Sequence, residues 1–195
     1  MPVPQAPRGA LLFGPKLTPG AGLDTHFLDV LRTYFRGEWL ECTLFVLPVG
    51  VVSVAVSLLL LRGERSPFVW GVTVPSLVLG VALLVTGVAV ASRTPGQVQA
   101  LTTAYQQDVA TFVARELARM QRVNANWPVY LVLYAVFAVA GLALRFLVRR
   151  EWAVGAGTAL VLFAGLGLLI DGFAERRARP YTAALESLQG SKQPI

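Results

Sequence analysis

The sequence predicts an all-α membrane protein with four transmembrane helices in two hairpins and an amphipathic cytoplasmic helix before each hairpin. Three observations carry this. Only 14% of the 195 residues are charged while 55% are hydrophobic, too few charges to coat a soluble domain, where about a quarter is usual. Four charge-free runs, at 42–61, 66–92, 123–144 and 152–170, each approach or exceed the ~20 residues that cross a hydrocarbon core of ~30 Å. Arginine and lysine then fall mainly on one side of these runs, as the positive-inside rule requires.

The N-terminal stretch is broken by prolines and glycines. It has no continuous apolar segment for a signal peptide and predicts a disordered tail over 1–22. After Asp24, a helix cap, Phe27, Val30, Leu31, Tyr34 and Phe35 face one way. Thr25, Asp29, Arg32 and Arg36 face the other, so an interfacial helix is expected over 23–37. Gly37 is expected to turn the chain into the first transmembrane hairpin, 38–92. Trp39 and Trp127 suit headgroup depth at the two cytoplasmic entrances.

Between the hairpins, 93–127 predicts a cytoplasmic amphipathic helix. Thr94 can cap it, Pro95 suits its first position, and Gln97 sits where a capping-box side chain reaches back. Val98, Leu101, Tyr105, Val109, Phe112, Val113, Leu117, Met120 and Val123 recur at steps of three and four, one apolar stripe along roughly 39 Å of helix. The opposite face carries Ala100, Ala104, Ala110, Ala114 and Ala118, with Asp108 the one charge between Val98 and Ala114. So few charges predict a helix covered on more than one side. Glu116 falls on the centre of the stripe, where an unpaired carboxylate is costly. It calls for an arginine: Arg119 one turn on, or Arg36 or Arg176 from elsewhere. Asn124, Asn126 and the Trp127-Pro128 pair end the helix and open the second hairpin, 128–174.

Inside the runs there is little chemistry. Ser53, Ser57, Thr73, Ser76, Thr86 and Thr158 can bond a backbone carbonyl one turn back, and Pro48 and Pro75 call for kinks. Ala153, Gly155, Gly157 and Ala159 permit close helix contact. Glu41 and Asp171 lie at the cytoplasmic ends of spans one and four, Arg145 can snorkel outward, and no ionisable residue reaches the midplane. A basic juxtamembrane tail, 175–195, follows. Each half reads helix, Trp, span, short loop, span, then Arg and Pro, the pattern of a parallel repeat about the membrane normal.

Arg8, Lys16, Arg32, Arg36, Arg93, Arg115, Arg119, Arg122, Arg176, Arg177, Arg179 and Lys192 share one side. The other side holds only Arg62, Arg65, Arg145, Arg149 and Arg150, so both termini are expected in the cytoplasm of a bacterial inner membrane. One cysteine and one histidine leave no thiol pair and no ligand cluster, and no intramembrane carboxylate serves a proton-coupled carrier. Phosphate-loop, dinucleotide and zinc-protease motifs are missing too. The expectation is a non-enzymatic protein that binds a partner protein at the cytoplasmic face in an accessory, assembly or immunity-type role. A small transporter or channel subunit is the alternative, and a lipid-modifying enzyme at the interface the third. The candidate interaction or lipid-headgroup site is Arg36, Glu41, Glu116, Arg119, Asp171, Glu175, Arg176, Arg177 and Arg179. No catalytic residue, metal or cofactor is assigned. The expected partners are anionic phospholipid and a protein or second copy, with nucleic acid excluded because the arginines cluster beside apolar runs.

Overall fold

A computed structural model describes residues 21–190 except residue 64, with side chains from residue 25 onward. Most of the expected N-terminal tail and the last five residues lie outside the described part. The described chain is all helical. Helix α1 (Ala21–Glu41) passes through a π-helical turn (Cys42–Val46) into α2 (Leu47–Arg62), followed by α3 (Pro67–Gln107), α4 (Val109–Ala125), α5 (Trp127–Leu147) and α6 (Glu151–Gly190). Four helical stretches, Thr25–Arg62, Pro67–Gln107, Val109–Leu147 and Glu151–Gly190, are long and apolar enough to cross a membrane, the profile of a multi-pass membrane protein. A helix of such length spans about 60 Å, roughly twice a hydrocarbon core, so each reaches well past its apolar part.

The helix breaks differ from the expected ones. At Gly37 the chain does not turn: helix runs through it to Glu41. The irregularity comes later, just before Pro48, which lacks an N–H and crowds the carbonyl four residues back. A widened turn absorbs the defect, with the Leu47 N–H donating to the Cys42 carbonyl. Thr94 and Pro95 do not start a helix either; they lie inside α3. The Thr94 hydroxyl bonds back to the Val90 carbonyl at 2.7 Å instead of capping forward. The break falls at Asp108, which is extended (φ −151°, ψ 97°) and accepts from the Ala110 and Thr111 amides at 2.9 and 3.2 Å, a side-chain cap for α4. The single long helix expected over the stripe is therefore two. Likewise α6 continues through Pro180 to Gly190.

Packing separates the molecule into two regimes. In the apolar half α2 packs on α3, α3 on α6 and α6 on α5, and no comparable contact closes the row. Large side chains on its flanks stay bare, Leu59 63%, Val139 66% and Phe146 72% exposed. At the other end, here called the base, α1, the end of α3, α4 and the end of α6 each pack on two neighbours and form a ring. Inside it lie Phe27, Leu31, Phe35, Tyr105, Phe112, Val113, Leu117, Met120, Ala178, Tyr181 and Leu185. Water drives apolar side chains into such a core, whereas lipid gives them no reason to leave its company.

The row is centred on α3 and α6, which meet at their first turns. A Cβ at Gly71 would strike the Trp152 carbonyl, and one at Gly155 would strike the Phe68 carbonyl. Phe68 and Trp152 are the second residues of their helices, Gly71 and Gly155 the fifth. Such reciprocal contact, each glycine against the other helix's second residue, is what a two-fold axis produces.

Candidate functional site

The base core holds one buried charge pair. Glu116, 4% exposed, accepts from Arg119 Nε at 2.9 Å and Nη2 at 2.6 Å, and from the Tyr181 hydroxyl at 2.9 Å. Arg119 also lies over the Phe35 ring at 5.9 Å. Tyr34 stacks on Tyr181 with centroids 4.7 Å apart. Burial, then the Glu116 charge, push the Tyr181 hydroxyl above its ordinary range; burial, then Glu38, raise Tyr34. Burial works against the Arg119 charge, but the Glu116 hydrogen bonds and charge outweigh it and raise its pKa. The Glu116 carboxylate thus holds Arg119 from its own helix and Tyr181 from α6 together.

A second pair joins α1 to α6. Arg177 Nη1 donates to Glu41 Oε2, and the Arg177 side chain lies across Gly37, where any Cβ would strike its Cδ. Gly37 thus provides a notch rather than a turn. Beside it a cleft of about 540 Å³ is lined by Leu40, Leu44, Phe45, Phe173, Arg176 and Arg177, among others. Its walls diverge because α1 packs on α6 in the ring while no comparable contact continues from α2 to α6 in the row.

The remaining expected site residues scatter. The Tyr134 hydroxyl donates to Asp171 at 2.6 Å, tying α5 to α6. Arg179 bonds Glu175 one turn back at 2.7 Å. Arg36 and Arg176 are exposed and have no ion pair among the described residues. The structure therefore brings together Glu41, Arg176 and Arg177 at one place and Glu116 and Arg119 at another. Sequence reading missed Tyr181 and Thr182, whose hydroxyl accepts from Asn124 Nδ2 at 3.2 Å. Ala178, Tyr181, Thr182 and Leu185 sit at helical spacing, the signal that could have revealed a buried face beyond Pro180.

A third feature lies at the seam where α3 ends and α4 begins. Ala100, Ala104, Gln107, Asp108, Thr111 and Arg115 border an open hollow of about 360 Å³. Ala110 and Ala114 are exposed beside it. Within the chain itself the ring covers the apolar side of the stripe and leaves the alanine side open. Compared with known protein families, with curated proteins and with solved structures, the chain matches none.

Proposed function

We propose that the protein works by binding a partner protein at the base, in an accessory, assembly or immunity-type role in a bacterial inner membrane. In this reading α2 with α3 and α5 with α6 form two transmembrane hairpins, both termini are cytoplasmic, and the base is the cytoplasmic layer. One observation supports the binding surface above all. The base spends its large apolar side chains on its own core and leaves Ala100, Ala104, Ala110 and Ala114 exposed along the α3–α4 seam. Small side chains let a second helix approach closely, so the expected occupant is a helix of the partner. Large exposed apolar groups there would instead suit lipid.

The test uses single cysteines. Cys42 is the only native one and is buried, so Cys42→Ala gives a blank background. Cross-linking in cells through Ala104→Cys or Ala114→Cys should yield one defined adduct, and Ser187→Cys, exposed on α6, should yield none. Ala104→Trp should abolish co-purification of the same protein. Equal adducts at all three positions, or an unchanged yield of partner with Ala104→Trp, would reject the seam as the binding surface.

A further inference from the structure

We propose that the cleft between α1 and α6 is a binding site for one anionic phospholipid. It lies where the ring gives way to the row, so its lower wall of Leu44, Phe45 and Phe173, 60%, 53% and 46% exposed, runs on into the bare apolar flank. Its upper end carries Arg176 and Arg177 against the single carboxylate of Glu41. An apolar floor that ends at an excess of positive charge matches a molecule with an acyl chain and a phosphate.

The charges are unevenly committed. Glu41 neutralises Arg177 and leaves Arg176 without an ion pair among the described residues, while Arg179 is occupied by Glu175. Arg177 is held across the bare backbone of Gly37 with its Nη1 on Glu41, which fixes the guanidinium at the edge of the cleft. Planar guanidinium groups suit phosphate oxygens better than ammonium does. The cleft's volume falls in the range of small-ligand sites, roughly 300–1,000 Å³, enough for a headgroup and the first part of a chain. The α3–α4 seam also carries an arginine, Arg115, but it is bordered by Ala100 and Ala104 rather than by large exposed apolar residues. It serves as an internal control. The proposal does not depend on the partner reading, since the two surfaces share no residue.

The experiment is lipid titration of the full chain in mild detergent, read by native mass spectrometry. Wild type should retain phosphatidylglycerol and not phosphatidylcholine. Arg176→Gln should weaken phosphatidylglycerol binding about fivefold, the worth of one basic residue at an anionic surface. Arg115→Gln, the same charge change at the α3–α4 seam, should leave it unchanged. Gly37→Leu should displace Arg177 and remove binding; if that variant does not fold, the two arginine variants still decide. Equal weakening by Arg176→Gln and Arg115→Gln would show diffuse attraction and overturn the site. Equal retention of phosphatidylcholine would overturn the phosphate contact, and competition by inorganic phosphate at the lipid's own concentration would overturn the acyl chain.

Discussion

Glu116 sits in an apolar stripe because two donors from different parts of the chain meet it there. Arg119 is local, and its side chain is 36% exposed, so water can take over if the carboxylate goes. Tyr181 is fully buried and has no such recourse. Glu116→Leu should therefore cost about 1–3 kcal/mol through the orphaned Tyr181 hydroxyl, and adding Tyr181→Phe should recover most of it. Denaturation of the four variants in detergent gives the coupling directly, and purely additive effects would show that the hydroxyl finds another partner. The need for an arginine near Glu116 was legible at 100° per residue. Tyr181 was not, because Arg179-Pro180 reads as a stop, whereas a proline inside a long helix loses one hydrogen bond that packing on both sides can offset. Arg177 over Gly37 was equally hidden, since nothing local links two residues so far apart in sequence.

Among the elements, the apolar runs were readable from charge alone, and the boundary at Asn126 and Trp127 from its turn residues. The breaks at Gly37 and Thr94 were misread because glycine and Thr-Pro act as punctuation only where the chain has somewhere better to go. Asp108 carried a usable signal, a capping side chain two and three residues before the amides it meets. The pairing of α3 with α6 could not be read at all, because it depends on which glycines face each other. Gly71→Val should force the first turns apart and lower stability by at least the 1–3 kcal/mol usual for overpacking. Gly172→Ala provides the contrast: nothing lies within 4 Å of its Cβ position, and helix propensity alone predicts a gain of about 0.5–1 kcal/mol. Thermal melts of both should move in opposite directions, and parallel shifts would mean that backbone entropy, not contact, governs the crossing.

Across the whole molecule, a closed ring and an open row share the same four long helices, which is the arrangement expected when one end meets water and the other meets lipid. If the base is cytoplasmic, a Gln107→Cys variant in the Cys42→Ala background should be labelled by an impermeant thiol reagent only after the cells are opened. A Gly63→Cys variant should be labelled in intact cells. The reverse pattern would invert the topology while leaving the fold untouched. The glycine crossing has a mechanical consequence as well. Because α3 and α6 run unbroken from Gly71 and Gly155 to the aromatic core, each acts as a stiff rod of ~60 Å with its pivot near one end. A swing of only ~5° about that pivot displaces Tyr105 on α3 by ~4 Å and Tyr181 on α6 by ~3 Å, more than the close-packed core can absorb without letting go of a ring. The angle at which the two rods cross is thus coupled to whether Phe27 keeps its place between Tyr105 and Tyr181.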